Sequence, residues 1–288
     1  MFVFNGVTFQ EVVAETSGIG ADRDTGGVQL NMIPKDGGNI FSGTANFAYT
    51  GPDLQSNNIN DALLARGLNA STTGLASIKK FVEAAAGVGG PIKQNKLWFF
   101  GAARKSITQQ YAAGIYWNKL KQPQSMLYEP DLTRPAASND FYRDYSLRLT
   151  LQATEKNKFV VGGSFQHNCN CVYALFRPQG GSLVTPEAAT EHEYEPDFNV
   201  TSTWTYPLTN RMLLTAAGGA NHITQTNKRG EGVDVDSIQI TEQSLDLKYG
   251  AACGATAGGR PIRRCPAGSI TSRSRWPMSP GPTTSRQA

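Results

Sequence analysis

The densest run of side chains able to do chemistry is "PEAATEHEYEPDFN", which carries Glu187, Glu191, His192, Glu193, Glu195 and Asp197. Hard carboxylate oxygens at that density suit calcium, and the His192 imidazole would let the group join a transition-metal site. The same residues equally describe a solvated loop. His167, beside "NCNC", would extend such a site or stand as polar surface. Cys169 and Cys171 have a single residue between them, tighter than the two- to four-residue gap of zinc sites, so they read as a loop disulfide or as inert thiols. No phosphate-binding loop, nucleophile elbow or zinc-binding helix occurs, and "GGSFQ" at 162–166 lacks the elbow spacing. The chain therefore reads as a non-enzyme with no cofactor. No catalytic, cofactor-binding or metal residue is singled out, and the ligand-binding residues are not legible.

Composition narrows the setting. Of 27 basic residues, six are arginines after Gly250, where no lysine or acid occurs; the rest of the chain carries 21 basic against 23 acidic groups. A slightly acidic body gives no basic patch for nucleic acid. No apolar run approaches the length of a membrane helix. The start, "MFVFNGVTFQEVV", lacks the features of a secretory signal and reads as strand from its second residue. Either the protein is cytoplasmic or its true beginning lies upstream.

The elements that must position these residues are strands. In "DYSLRLTLQAT" Tyr145, Leu147, Leu149 and Leu151 share one face, while Ser146, Arg148, Thr150 and Gln152 share the other. Phe159, Val161 and Phe165 repeat the pattern, as do Phe198, Val200, Trp204 and Tyr206, and Phe41, Ala45, Phe47 and Tyr49. Strands are expected at about 41–50, 81–90, 97–111, 141–153, 159–168, 198–206 and 211–222. Short polar turns ("PIKQNK", "TEKNK", "PLTN") alternate with long links rich in Asn, Ser, Thr, Pro and Gly.

Short turns at one rim and long loops at the other, with apolar-out and polar-in alternation, suit an outer-membrane β-barrel. On that geometry Arg148 faces the lumen, because on the lipid side at mid-bilayer it would cost about 2–4 kcal/mol. Trp204, Tyr206, Trp98 and Phe100 then lie near the short turns as an aromatic girdle, leaving Leu97 and Phe99 to face inward. A soluble β-sandwich remains the alternative, whereas two strands in about 58 residues fit a propeller poorly.

Residues 7–51 carry an ordered series: Gln10-Glu11-Val12, Thr16-Ser17-Gly18, Thr25-Gly26-Gly27-Val28, Ile33-Pro34-Lys35-Asp36-Gly37-Gly38-Asn39 and Phe41-Ser42-Gly43. This series resembles the end of the plug and the first barrel strand of TonB-dependent outer-membrane receptors. Later stretches, "GVGGPIKQNKLWFFGAARKS", "CNC" and "TWTYPLTNRMLL", resemble the Oar-like branch of that family. The resemblance covers roughly residues 7–249.

It implies a fragment of a 22-stranded antiparallel transmembrane β-barrel with the end of an N-terminal plug domain. Residues 1–39 would be the plug's C-terminal part, and 40–249 the first seven or so strands with long extracellular loops. The implied location is the cell outer membrane, and the implied job is binding and importing a scarce small-molecule, glycan or peptide ligand. Partners would be outer-membrane lipid and the TonB energy-transducing complex, with no nucleic acid. A surface adhesive or structural barrel, or a passive porin, is the rival. Against that family, the TonB-contacting segment and the first half of the plug have no counterpart in this sequence. Residues 250–288 lack Lys, Asp and Glu and show no alternation, so they read as a non-native tail from frame-shifted or mis-joined translation, or as a disordered linker.

Overall fold

The computed structural model describes residues 3–16, 28–56, 60–66, 77–122, 124–173, 175, 183–234 and 237–252, together with the backbone of 268–280. The motif residues at 17–27 and Cys253 and Cys265 lie outside that set. In chain order the early strands are β1 (Phe9–Glu15), β2 (Gln29–Pro34), β3 (Ser42–Thr50), β4 (Ile78–Lys93), β5 (Leu97–Asn118), β6 (Pro130–Ala137) and β7 (Asp140–Gln152). The later ones are β8 (Lys158–Tyr173), β9 (Leu183–Val184), β10 (Thr190–Thr209), β11 (Met212–Arg229), β12 (Ile240–Glu242), β13 (Leu247–Tyr249) and β14 (Gly268–Pro280). With 67% strand and 6% helix, the fold is β and mostly antiparallel, and among the described residues no sheet closes on itself.

The seven expected strands are β3, β4, β5, β7, β8, β10 and β11, and each pairs antiparallel with the next in a nine-stranded sheet. Turns at 94–96, 153–157 and 210–211 join them at one end, and links at 51–77, 119–139 and 174–189 join them at the other. Although sequence 250–288 shows no alternation, residues 268–280 pair with the edge of β11. The hairpin β1–β2 forms its own two-stranded sheet. Residues 3–8 are not strand: the Asn5 side chain accepts a hydrogen bond from the Val7 amide and caps a 3₁₀ turn at Gly6–Thr8, so β1 starts at Phe9.

The main sheet has an inverted distribution of polarity. Tyr145 and Leu147 are 57% and 53% exposed, and Phe47 is 71% exposed, whereas Thr150 and Gln166 are 4% and 0% exposed. On β7 and β8 the greasy face is bare and the opposite face is covered. What covers it is the chain's own start, Val3–Thr8, and the segment 34–39.

Small residues make room for that cover. Ala85, Gly87 and Gly89 lie along the inner face of β4, where a Cβ on Gly87 or Gly89 would stand 2.9 Å from the Phe100 ring. Phe100, Ala85, Ala102 and Val7 form a buried cluster, with the Lys35 ammonium 5.9 Å from the centre of the Phe100 ring. This corrects the expected facing of β5. Phe100 pairs with Arg148 and Phe99 with Leu149, so Trp98 and Phe100 turn inward and Leu97 and Phe99 outward. Phe99 meets the exposed Phe41 edge-on. Four large side chains in succession carry no alternation, and only the register against β7 sets the phase.

The long links are not structureless. Ala112, Ile115, Ala136, Leu175, Leu247 and Tyr249 form a separate buried cluster, joined by Tyr128, Val172 and Ile240. Strands β12, β13 and β9 form a small sheet against it, so the described parts of the links after β5 and β8 fold together with 240–249 as a cap over one end of the meander.

Gly37 sits where a Cβ would meet the Phe99 carbonyl oxygen at 2.2 Å, a backbone-to-backbone approach that only glycine allows. Gly37→Ala is expected to cost about 1–3 kcal/mol, as an overpacked site does, and to lower the urea midpoint; an unchanged midpoint would show that 34–39 does not seat on β5.

Candidate functional site

The covered inner face is where polar side chains converge. Arg104 on β5 donates from Nη1 to the Phe4 carbonyl (2.9 Å) and from Nη2 to the Val3 carbonyl (3.2 Å). Gln166 on β8 accepts from the Val3 amide at 2.9 Å and returns a bond from Nε2 to the Val3 carbonyl at 2.6 Å. The same Nε2 reaches Asp144 Oδ2 at 2.9 Å, while Asn5 Nδ2 donates to Asp144 Oδ1 at 3.0 Å and Asn168 Nδ2 donates to Gln166 Oε1 at 2.9 Å. Three neighbouring strands thus hold one extended segment through its backbone.

A second anchor is built from "KDGGN". Asp36 takes the Arg148 guanidinium and the Thr150 hydroxyl, the latter at 3.1 Å. Arg148 therefore lies on the inner face, as its neighbours in sequence required. Asn39 accepts from Trp98 Nε1 at 2.8 Å and from the Asn95 amide at 2.8 Å, and its own amide donates to Asn95 Oδ1 at 2.6 Å. Asn95 has a positive φ of 58° in the turn after β4, a conformation asparagine tolerates. The polar turn and the tryptophan behind it are thus docking points for the covering segment.

The acid-rich run does not lie in a loop. Glu187 occupies a 3₁₀ turn at Pro186–Ala188, and Glu191, His192, Glu193, Glu195 and Asp197 lie on β10. A register shift between Tyr194 and Asp197 splits them. Asp197 is buried on the inner side opposite Gln166. His192 stacks on Tyr173 at 3.9 Å and bonds Thr190 and Gln225 through its ring nitrogens, so it does not join the carboxylates. His167 does. Its Nε2 lies 3.0 Å from Glu193 Oε1 and 3.3 Å from Glu195 Oε2, and Glu193 Oε2 is held by Lys228. The sequence reading that His167 would extend the acid-rich run fits this grouping, and it is the β8–β10 register that brings His167 to Glu193 and Glu195.

The sulfurs of Cys169 and Cys171 are joined in a disulfide. It lies on β8 rather than in a loop, since alternate residues of a strand project to one side. Compared with known proteins, the chain matches no protein-family model and no curated sequence.

Glu187 is the buried acid of the cap, 8% exposed. Its oxygens make no hydrogen bond of good geometry, although the Thr185 hydroxyl and the Asn118 backbone stand near. Burial pushes its carboxyl above the usual range, with Arg134 offsetting part of that rise. Nearby Tyr128 is pushed up to about 12, by burial first and then by the Glu187 charge.

Two outcomes are expected. Arg104→Ala removes the donor to two carbonyls, so residues 3–8 become protease-sensitive while the sheet persists; unchanged cleavage would contradict the seam. For Glu187 the folded chain holds its proton more tightly than the unfolded chain does. Its protonation therefore favours the fold at acid pH, and this contribution is lost as pH rises from the ordinary carboxylate value through the raised one. Glu187→Gln should slow amide exchange of β12 and β13 at pH 7 and flatten its pH dependence; equal exchange in both proteins would contradict this.

Proposed function

We propose that this chain is part of a TonB-dependent outer-membrane receptor of the Oar-like kind, which binds a scarce ligand at the cell surface and imports it past a plug. The observation that carries the reading is the inverted sheet, with its apolar face bare and its polar face covered by the chain's own N-terminal segments. In a soluble sandwich the apolar faces would meet each other. Here the apolar belt has a lipid-like solvent as its natural complement.

The belt has the dimensions and borders such a solvent requires. On β10 the outward positions from Phe198 to Tyr206 span eight rises, about 27 Å along the strand at about 3.4 Å each, or about 20 Å at a tilt of about 40°. That covers most of the roughly 25 Å apolar band of such barrels. Near the short turns, Phe159, Trp204 and Tyr206 stack in a row, and Trp204 Nε1 donates to Asn157 in the turn. Toward the long links, Lys105, Arg143 and His167 face one another across three strands as a charged row near the edge of the apolar stretch, with only the row Ile107, Phe141 and Cys169 beyond it before the links. Aromatic and charged rows at opposite edges fit the two interfaces of a bilayer.

The seam suits a movable plug. Its contacts are mainly hydrogen bonds, the neutral ones worth about 0.5–1.5 kcal/mol net each because water can replace either partner, with one ion pair at Asp36 and one small apolar cluster at Val7. A segment held this way can be withdrawn into a hydrated lumen without exposing a large apolar area. For import to follow binding, the ligand must prefer one plug state over the other. The cap of folded links lies at the end expected to face outward, where such a ligand first meets the protein.

Leu149→Arg tests the reading. In lipid it should cost about 2–4 kcal/mol and deplete the intact protein from the outer-membrane fraction. If the face meets water, the change should alter stability by less than about 0.5 kcal/mol and leave the protein soluble, and the receptor reading fails. Ligand import that stops when the TonB complex is deleted separates a receptor from a porin or adhesin.

A further inference from the structure

We infer that His167, Glu193 and Glu195 form a binding site for a first-row divalent transition cation, of which zinc is the probe of choice, on the outer face of β8 and β10. Three donor atoms from two adjacent strands, His167 Nε2 and one carboxylate oxygen from each glutamate, lie within 4.8 Å of one another. The two nitrogen-to-oxygen separations are 3.0 and 3.3 Å. Bonds of about 2.0–2.2 Å in a tetrahedral site place neighbouring ligand atoms about 3.3–3.6 Å apart, so the imidazole stands within a few tenths of an ångström of the right spacing from both oxygens. Only the glutamates need to close toward each other.

The convergence is poorly served by hydrogen bonding alone. A single ring nitrogen carries at most one proton, yet two carboxylate oxygens from different residues point at it. A cation accepts the nitrogen lone pair and both oxygens together. Glu193 and Glu195, two residues apart on β10, lie on the same side as His167, and the register shift between Tyr194 and Asp197 is what turns Asp197 inward instead, opposite Gln166.

The surroundings hold the donors in place. Lys228 engages the second oxygen of Glu193, leaving Oε1 presented, in the manner of an outer partner orienting a metal ligand. Phe141 packs edge-on to the His167 ring at 5.1 Å. The Cys169–Cys171 disulfide lies directly opposite Glu193 in the register and stiffens that part of β8. Glu195 is 46% exposed, so water can fill the remaining coordination positions. One imidazole with two carboxylates selects zinc-like cations over calcium, which prefers an all-oxygen shell of six to eight ligands.

Calorimetric titration of the intact protein in detergent with zinc, and separately with calcium, tests the site. One zinc per chain is expected. His167→Gln and Glu195→Gln should each weaken binding at least tenfold, while His192→Gln, outside the cluster, should leave it unchanged; circular dichroism of each variant must match the parent. Zinc uptake that is absent, or equal in the parent and His167→Gln proteins, would overturn the proposal. So would calcium binding as tight as zinc, or an equal loss in His192→Gln. The receptor reading is judged by membrane fractionation and survives a negative result here.

Discussion

A sheet with one apolar and one polar face must give each face a partner, and everything else in this structure follows from how the polar face is served. Arg104, Asp144, Arg148, Thr150, Gln166 and Asn168 all turn to the same side, and each would be costly if covered without hydrogen bonds. The chain meets that demand with its own backbone and short polar side chains: the carbonyls of Val3 and Phe4, the Asn5 amide and the Asp36 carboxylate. Once these segments occupy the inner side, the apolar side chains have only the outside left. The small residues of β4, the glycine at 37 and the asparagine turn at 95 are consequences of seating that cover closely.

The same constraint explains why the cap is a separate unit. Beyond the charged row of Lys105, Arg143 and His167, one further apolar row, Ile107, Phe141 and Cys169, stands on the outer face before the strands continue into the link region. There the chain buries Ile115, Leu175, Leu247 and Tyr249 against one another instead. Two cores with opposite logic therefore share the same long strands: polar and plugged at one level, apolar and self-packed at the next. On the proposed reading, the first lies within the membrane and the second stands above it.

Much of this was legible in the sequence wherever alternation ran for four or more positions. The faces of β7, β8 and the lower part of β10 follow directly from "SLRLTL", "FVVGGSF" and "FNVTSTWTY", and Arg148 is inward for that reason. Strand ends were not legible, because "TEHEYE" and "TQQYAAGIYWN" have polar or mixed residues on both faces and carry no period. The phase of Leu97 to Phe100 was unreadable for the opposite reason, since every position is large and apolar. The seam and the His167 cluster depend on contacts between residues far apart in the chain, which no local pattern encodes. What the sequence did offer was the residue types, "KDGGN" and "EHEYE", with His167 as one alternative extension of the latter, but not their geometry.

The central claim is that the bare apolar face of this sheet meets lipid while the opposite face meets the plug. Cysteine substitutions placed singly at 145 to 152 in the intact protein, then challenged in native outer membranes with a water-soluble maleimide and with a lipid-confined quencher on an attached fluorophore, read that directly. Positions 145, 147, 149 and 151 should be shielded from the maleimide and quenched from the lipid, with 146, 148, 150 and 152 free of lipid quenching. Ready maleimide labelling at 147 and 149, or quenching without a two-residue period, would contradict the account.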